Sequence, residues 1–451
     1  MPKSGSLLLE VMWVFTRLGL TSFGGPIAHL GYFHDELIRR RQWMSEDEYA
    51  DLVALAQFLP GPASSQVAMG LGHRRAGPMG AMAATVCFTW PSAMLLFMFA
   101  LGLLPLATNF EWAQGLLAGL QLAAAVVVAH AIWQMQRQLC PDPHRKGLAI
   151  GAALLMGLGQ FELASSLSSD LSSTDLRWLT PTILQFGVLL AAALIGALQS
   201  STSHSESPAA SAPLRKGAQR WGATLLAIWV ALLMMIPTLQ QMAPESRNLK
   251  ILDVFYRVGS SVFGGGHVVL PLLQTEVLQT HTHQAVGEPP RIETSASASH
   301  HRSSAAWLTA SEFQAGYGAA QAIPGPLLSF AAYVGALARV PSSPDRLQAL
   351  QQATYALIGV FLPSLLLILG AWPFWQSLKH WPRLGRAAQS LNAAVVGLLL
   401  ASFLNPILPE SIRNCGDVLA LGFGLWLIFK MRWPNWAIVV TLGLIGSWRA
   451  L

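Results

Sequence analysis

Charged residues and cysteines are scarce in this chain of 451 residues. Asp, Glu, Lys and Arg make up 11% of it, far below the roughly 25% of an ordinary soluble domain. Hydrophobic residues make up 53%, so the composition predicts an all-α polytopic membrane protein. The cysteines Cys87, Cys140 and Cys415 have no paired spacing, and neither a disulfide framework nor a thiolate metal site is expected.

Long apolar runs supply the expected membrane spans, because about 20 apolar residues cross a hydrocarbon core of roughly 30 Å. Together with the interrupted segments and the apolar runs at 415–429 and 433–445, they predict roughly ten to thirteen crossings. Glu10 and Arg17 interrupt the first apolar run, so a cleaved signal peptide is not expected. The longest uninterrupted runs cover 79–104, 116–132, 182–198, 222–236, 355–370 and 387–404.

The formal charge of +6 is compatible with a nucleic-acid partner or with topogenic charge. The basic residues are scattered through short loops between apolar runs, which is typical of the charge that orients a membrane protein. No nucleic-acid partner is therefore expected.

An internal repeat organises the sequence. Adding 240 carries Phe15, Arg17, Gly19, Phe23, Gly24 and Gly25 onto Phe255, Arg257, Gly259, Phe263, Gly264 and Gly265. Adding 264 carries Trp43, Glu48, Gln57, Pro60, Gly61, Pro62 and Ser65 onto Trp307, Glu312, Gln321, Pro324, Gly325, Pro326 and Ser329. The difference of 24 is an insertion within 276–306. The repeat predicts two homologous halves, 1–198 and 219–451, joined by a Ser-, Ala- and Pro-rich linker at 199–218.

Basic residues are distributed unevenly between equivalent loops of the two halves. The segment 33–47 is read as a loop and carries Arg39, Arg40 and Arg41, whereas 276–306 carries Arg291 and Arg302. Loops rich in Lys and Arg stay cytoplasmic. We therefore predict that the two halves are inverted relative to each other.

Each half contains two Gly- or Pro-rich breaks inside apolar segments, at 24–26, 60–62, 264–266 and 324–326. A helix broken within a membrane exposes backbone groups that need internal partners, water or a ligand. An exposed helix N-terminus offers N–H groups and a partial positive charge to an anion. Gly and Pro can also simply kink packed helices, but duplication of the pattern favours broken, re-entrant helices whose breaks meet around one central cavity.

Two matched arginines, Arg17 and Arg257, lie shortly before the paired glycines of each half. Intramembrane arginine is costly and usually functional, and its fork-shaped guanidinium suits oxyanions, so the pair could balance a dianion. The alternatives are snorkelling to the interface and ion pairs with Glu10 and Asp253. The sequence leaves these interpretations open.

Neutral polar residues near the breaks can donate hydrogen bonds without holding an anion too tightly. Gln57, Gln321, Ser64, Ser65 and Ser329 are such candidates, although helix packing is the commoner role of the serines. The predicted binding and translocation set is Arg17, Gly24, Gly25, Pro26, His29, Gln57, Pro60, Gly61, Pro62, Ser65, Arg257, Gly264, Gly265, Gly266, His267, Gln321, Pro324, Gly325 and Pro326.

Titratable side chains provide candidates for proton coupling. Glu48 and Glu312 can couple protons if they are buried, but Glu48 also forms a capping-box pattern with Ser45, which predicts a helix start there. His29 and His267 can act as titratable donors or as packing residues. Histidines at 281, 283, 300 and 301 have no fixed ligand spacing, so a solvated loop is expected and no metal or other cofactor.

The breaks and their neighbours form one ordered set in each half. The first half contains Phe-Gly-Gly-Pro at 23–26, His29, Gln57 and Pro-Gly-Pro at 60–62. The second half contains Phe-Gly-Gly-Gly-His at 263–267, Gln321 and Pro-Gly-Pro at 324–326. In this combination the chain resembles the long, two-domain form of the chromate ion transporter family. The resemblance implies a multi-pass protein of the cell (inner) membrane that exports chromate and is not an enzyme. A homodimer is left open.

Two alternatives remain at the level of sequence. Sulfate is also a tetrahedral dianion, so a sulfate or other oxyanion permease fits the same residues. An intramembrane lipid-phosphate hydrolase fits less well, since it needs an acid or base and a basic clamp concentrated together. The sequence contains no Ser-His-acid or metal-ligand cluster that would supply them.

Overall fold

The computed structural model describes residues 4–107, 109–166, 179–199, 216–262, 269–278, 307–338, 346–378 and 381–450. Every secondary-structure element in these ranges is helical. The helices are α1 (Ser4–Thr21), α2 (Gly25–Phe33), α3 (Glu46–Phe58), α4 (Ala63–Ala107), α5 (Glu111–Leu139), α6 (Pro143–Ser166), α7 (Leu179–Leu198), α8 (Lys216–Met242), α9 (Arg247–Ser261), α10 (Val269–Leu278), α11 (Ala310–Ala322), α12 (Phe330–Leu337), α13 (Arg346–Ala371), α14 (Trp375–Leu378), α15 (Pro382–Ser402), α16 (Leu408–Ser411), α17 (Cys415–Phe429) and α18 (Asn435–Arg449).

Within the described ranges, helices long and apolar enough to cross a membrane occupy Ala63–Gly102, Glu111–Leu139, Gly217–Met242, Arg346–Phe374 and Pro382–Ser411. Only 11% of the most apolar part of the Gly217–Met242 helix is buried within the protein, so this helix lies at the outer surface of the described structure. The prediction of an all-α polytopic membrane protein is confirmed, whereas the total number of crossings stays a prediction.

Helices α1 and α2 form a hairpin whose tip is the first Gly-rich break. Helix α1 ends at Thr21, and Gly24 adopts a left-handed conformation with φ of 100° that glycine tolerates without a Cβ penalty. Pro26 then occupies the first turn of α2, where its missing N–H costs no helical hydrogen bond. The predicted stop at Gly24-Gly25-Pro26 is confirmed.

The segment after α2 differs from the prediction. The sequence predicts a loop at 39–41, whereas in the structure the helix continues as a π-helical turn over His34–Arg40. Ion pairs between Asp35 and Arg39, 3.4 Å, and between Glu36 and Arg40, 3.3 Å, connect residues four apart. Such pairs stabilise a helical turn, so a run of arginines does not end the helix here.

Helix α3 and the first part of α4 form the second hairpin of the first half. The predicted capping box is present, with Ser45 accepting from Glu48 N and the Glu48 carboxylate accepting from Ser45 N. Helix α3 ends at Phe58, and α4 begins at Ala63 after the Pro-Gly-Pro break. Both predicted boundaries are confirmed.

Glu10 ties the open ends of these two hairpins together. Its carboxylate accepts from Arg41 at 3.1 Å and from Arg75 at 2.6 Å. Arg41 follows the first hairpin, and Arg75 closes the first part of α4 just before the kink at Gly77. Both hairpins therefore open at the same end of the molecule, and their tips, 22–26 and 59–62, point inward.

The second half repeats this plan. Helix α9 pairs with α10 through Arg257, whose guanidinium lies 2.9 Å from Glu276. Helix α11 begins with a Thr309–Glu312 capping box and ends at Ala322, before the Pro-Gly-Pro break at 324–326. The predicted break residues Gly264, Gly265, Gly266 and His267, most of the 276–306 insertion and most of the 199–218 linker lie outside the described residues.

The helices of the two halves interleave. Helix α5 of the first half packs against α17 and α18 of the second, while α15 of the second half packs against α6 and α7 of the first. Glycines permit this approach: a Cβ placed on Gly119 would lie 2.2 Å from the carbonyl oxygen of Leu442, and one on Gly397 would lie 2.0 Å from that of Ala149. The two halves therefore share one interior.

Candidate functional site

Two backbone hydrogen bonds join the broken helices of opposite halves. Gly325 N donates to Ser22 O at 2.9 Å, and Gly61 N donates to Val262 O at 2.5 Å. Ser22 and Val262 are equivalent under the offset of 240, and Gly61 and Gly325 under the offset of 264. We call the Ser22–Gly325 contact the first junction and the Val262–Gly61 contact the second junction. Such an exchange of equivalent contacts is what two-fold related units produce.

A matched serine lies against the Pro-Gly-Pro glycine at each junction. Ser92 follows Pro91 in α4, and Ser364 follows Pro363 in α13. A Cβ placed on Gly325 would lie 2.9 Å from Ser92 Oγ, and one placed on Gly61 would lie 2.6 Å from Ser364 Oγ. In both cases the serine belongs to the opposite half, so each junction is built from both halves.

The first junction has a buried histidine beside it. His29 Nε2 lies 3.3 Å from Ser22 O, and the ring packs edge-on against Phe88 with centroids 5.3 Å apart. His29 Nδ1 and Ser22 Oγ are buried without a hydrogen-bond partner. This junction thus contains polar atoms whose hydrogen-bonding capacity is unused.

A small cavity adjoins the first junction, with a volume of about 10 Å³, near the minimum that holds one water. A tetrahedral oxyanion does not fit into a cavity of this size. The cavity is lined by Gly24, Gly25, Ala320, Gln321, Ile323, Gly325, Leu327 and Asn435, which brings the first Gly-rich break and the second Pro-Gly-Pro break together.

The buried polar atoms of the second junction belong to a glutamine and two serines rather than to a histidine. Gln66 Nε2 donates to Pro60 O at 2.7 Å, while Gln66 Oε1, Ser65 Oγ and Ser364 Oγ are buried without a partner. The N-terminus of α4 opens here, at Ala63. Helix N-termini attract anions through their free N–H groups and the helix dipole, so this arrangement can bind negative charge.

The two matched arginines lie away from these contacts and pair with matched glutamates. Arg257 contacts both Asp253 and Glu276 at 2.9 Å. The side chain of Arg17 is 54% exposed, with Glu36 at 3.9 Å. The ion pair with Asp253 that the sequence left open is present, whereas Arg17 faces Glu36 rather than Glu10. A role in balancing substrate charge stays a prediction.

The remaining predicted residues divide between capping and packing. Glu48 and Glu312 accept the backbone N–H of their own N-cap residues. Gln57 is exposed rather than gathered at a junction. Ser329 donates to Pro326 O at 2.8 Å. Within the described ranges, no group of His, Cys, Asp and Glu is placed to hold a metal ion, and the four histidines of the 276–306 insertion lie outside those ranges.

Several residues at these sites were missed from sequence. Glu36 and Glu276 are equivalent under the offset of 240, so searching for matched acids beside the matched arginines would have found them. The Pro-Ser pairs at 91–92 and 363–364 were a visible similarity between the halves. Gln66 has Phe330 as its counterpart, so the repeat gave no signal for it.

A family model described as chromate transporter matches residues 9–168 and 299–447. The chain belongs to the chromate transporter family. The two matched regions are consistent with the two repeats of the long form. As a chromate transporter family member with several long apolar helices, the chain is a multi-pass membrane protein.

Related members of the chromate transporter family extend over most of the chain. It is 25% identical over 444 residues to the chromate transport protein of Pseudomonas aeruginosa, covering 96% of this chain and 90% of that protein. It is 24% identical over 404 residues to a probable chromate transport protein of Synechococcus elongatus, covering 87% and 82%. The uncharacterized transporter YwrA of Bacillus subtilis is 29% identical over 130 residues, which are 28% of this chain and 71% of that protein. No solved structure matches this chain.

Proposed function

We propose that this chain is a secondary transporter that exports chromate from the cytoplasm across the inner cell membrane and so confers resistance to chromate. The observation that carries this proposal is the pair of crossed junctions, where broken helices of both halves meet inside a member of the chromate transporter family. Discontinuous helices at a repeat interface are the usual location of transport sites. The names of the relatives, chromate transport protein and probable chromate transport protein, support chromate as the substrate.

The chemistry of the junctions suits a divalent oxyanion. Helix N-termini after the breaks contribute partial positive charge, and Ser, Gln and backbone N–H groups donate neutral hydrogen bonds. Such donors stabilise an anion while permitting its release, which a transporter needs. The predicted translocation residues, including the break residues outside the described ranges, are retained in this proposal.

Fixed positive charge comes from Arg17 and Arg257 in this mechanism. Glu36 and Glu276 compensate the two guanidinium groups in the conformation described here. A bound dianion would compete with these carboxylates for the arginines, because guanidinium binds carboxylates and other oxyanions through the same fork of donors. Anion entry would then weaken contacts that hold α1 and α9 in place.

Transport requires the junctions to open alternately. The cavity at the first junction is too small for chromate, so we propose that the halves, divided at the 199–218 linker, rock against each other around the junctions. The interleaved helices keep the halves attached during this movement. Proton coupling through Glu48 and Glu312, and homodimer formation, belong to the same proposal.

The test is anion flux in oriented vesicles that contain the purified chain. Chromate and sulfate uptake into inside-out vesicles are measured with and without an imposed proton gradient, with empty vesicles as control. We expect saturable chromate uptake that sulfate inhibits. Sulfate uptake without chromate uptake would instead identify a sulfate permease, and absence of flux together with release of phosphate from lipid phosphates would favour the hydrolase.

A further inference from the structure

We infer that Ser364 and Gln66, residues of opposite halves, form an oxyanion-binding pocket with the first turn of α4 at the second junction, and that Ser364 donates a hydrogen bond to the anion. This inference rests on the proposed function, and it assigns anion binding to two side chains that the repeat pattern did not single out. The ligand class is a tetrahedral divalent oxyanion, and sulfate serves as a redox-stable probe.

The first observation is unused hydrogen-bonding capacity. Ser364 and Gln66 are completely buried, and Ser364 Oγ and Gln66 Oε1 have no partner within the protein. Burying a polar group without a partner is costly, so such groups in a membrane interior call for an explanation. An oxyanion beside them would accept from the Ser364 hydroxyl, while the Gln66 oxygen, which is itself an acceptor, would need a donor such as a water bound with the anion.

The second observation is convergence on the break. A Cβ on Gly61 would lie 2.6 Å from Ser364 Oγ and 2.4 Å from Gln66 Nε2, so both side chains point at the glycine that precedes α4. Gln66 Nε2 uses one of its two hydrogens for Pro60 O, which leaves one for a ligand. The hydroxyl, the amide and the helix N-terminus therefore converge on one place. A Cβ does not fit there, so an anion reaches these donors only when the halves separate at the second junction, as the proposed transport cycle requires.

The matched serine of the first junction, Ser92, already uses its hydroxyl hydrogen in a hydrogen bond. Ser92 Oγ donates to Thr89 O at 2.9 Å, so its hydrogen is already committed within α4. Ser364 has no such bond among the described residues. The repeat therefore gives two equivalent positions of which only Ser364 retains a free donor, and the anion-binding contribution of the two serines should be unequal.

The experiment measures equilibrium binding of radiolabelled sulfate to the full chain in nanodiscs, with unlabelled chromate as competitor. Ser364→Ala should weaken sulfate binding by about ten-fold, because hydrogen bonds to charged groups are among the stronger ones. Ser364→Thr keeps the hydroxyl and should recover most of the affinity. Ser92→Ala should cause a smaller loss than Ser364→Ala. Gln66→Leu, which removes the amide, should weaken binding in the same direction as Ser364→Ala.

Ser390 provides the matched control. It is also a buried serine packed on a glycine of the other half, with its Oγ 2.4 Å from a Cβ placed on Gly196, but it lies between α15 and α7. Ser390→Ala should leave sulfate affinity unchanged. Thermal melting of each variant in the same nanodiscs separates loss of binding from loss of folding.

Wild-type affinity in Ser364→Ala, or an equal loss in Ser92→Ala, overturns the inference. In either case wild-type chromate flux would still stand, so the proposed function survives. Absence of sulfate binding in the wild-type chain also overturns the inference, and absence of chromate flux in vesicles with the wild-type chain removes the proposed function as well. Weak binding by a Ser364→Ala chain that melts well below the wild type, with Ser364→Thr equally weak, assigns Ser364 to packing and also overturns the inference.

Discussion

At the residue scale, the Pro-Gly-Pro breaks depend on glycine for two separate reasons. Gly61 and Gly325 have φ of 127° and 106°, in a region that side chains with a Cβ rarely adopt. Each also has a serine of the other half where a Cβ would stand. Backbone conformation and close approach therefore exclude larger residues at the same two positions.

Gly325→Ala should lower both stability and transport. The left-handed conformation alone costs about 1–2 kcal/mol for alanine, and contact with Ser92 adds to it. Thermal melting of the purified protein and chromate flux are the measurements.

The control is Gly385→Ala in α15, where nothing lies within 4 Å of the added Cβ. Alanine there should stabilise the helix by roughly 1 kcal/mol at most. Equal melting temperatures for Gly325→Ala and the wild type would contradict the geometry.

Arg257→Ala should reduce chromate transport sharply, and Arg257→Lys should retain an intermediate activity. Lysine keeps the charge but loses the planar fork that fits two oxygens. Alanine also leaves Glu276 and Asp253 without their partner, so adding both Glu276→Gln and Asp253→Asn to Arg257→Ala separates the two effects. Flux that stays low in this neutralised background supports a role in substrate binding, whereas recovered flux would identify Arg257 as a structural counter-ion.

The candidate site could be predicted from sequence only in part. Gly24 and Gly61 were found because the conformations that they adopt require glycine, and a backbone requirement is visible in one sequence. Ser364 and Gln66 were not, because buried serine and glutamine are common helix-packing residues and only three-dimensional proximity shows which of them lack partners. Gln57 is exposed in this conformation, so its matched placement did not reveal its side-chain environment, and its role in translocation stays a prediction.

At the scale of elements, local signals explain the helix boundaries well. The Ser45–Glu48 capping box, Pro26 in a first turn and the Pro-Gly-Pro breaks each determine a helix end through local chemistry. The π-helical turn over His34–Arg40 was missed because ion pairs at a spacing of four residues override the impression of a basic loop. Packing between α5 and α18 was not predictable, since it joins distant segments.

Close packing of α5 on α18 should depend on its glycines. Gly119 and Gly115 lie against the backbone of Leu442 and Gly446, with Cβ positions only 2.2 Å and 2.3 Å from their carbonyl oxygens. Small residues of this kind let membrane helices approach closely. Gly119→Leu should therefore weaken association of separately expressed halves, cut within the 199–218 linker, in a pull-down from membranes.

The control for that experiment is Gly422→Leu in α17, where nothing lies within 4 Å of an added Cβ. This variant should associate like the wild type. Neither half alone should transport chromate, because each junction takes atoms from both. Undiminished association of the Gly119→Leu halves would show that α5 and α18 do not hold them together.

At the scale of the whole molecule, the second part of α4 passes the hairpins of both halves in turn. It starts beside Arg75, at the open end of the first-half hairpins. It then passes the hairpin tips, where Ser92 meets Gly325. Further along, the ring of Phe99 lies 5.8 Å from that of Tyr333 in the second-half hairpin. Along α4, the open ends of the two sets of hairpins therefore lie on opposite sides of their tips.

Helix α13 makes the reciprocal contacts. Its glycine Gly359 packs on Phe255 in α9, Ser364 reaches the Gly61 tip, and Trp375, just beyond its end, donates to Asp51 in the first-half hairpin at 3.3 Å. In a membrane, hairpins that meet tip to tip would enter from opposite faces. This arrangement supports the predicted inversion of the halves, which the basic residues at 39–41 suggested from sequence.

Inversion can be tested at two equivalent helix starts. Ser45 and Thr309 correspond under the offset of 264, cap α3 and α11, and are both exposed. Ser45→Cys and Thr309→Cys are made separately in a Cys415→Ala background, because Cys415 is exposed whereas Cys87 and Cys140 are buried. Cysteine retains a polarisable side chain at the cap, so each substitution should cost only about 1 kcal/mol of stability.

A membrane-impermeant maleimide should label Ser45→Cys only in inside-out vesicles, since the adjacent arginines favour the cytoplasm. It should label Thr309→Cys only in right-side-out vesicles. Labelling of both from the same side would mean that the halves are parallel and that their hairpins meet through a different arrangement.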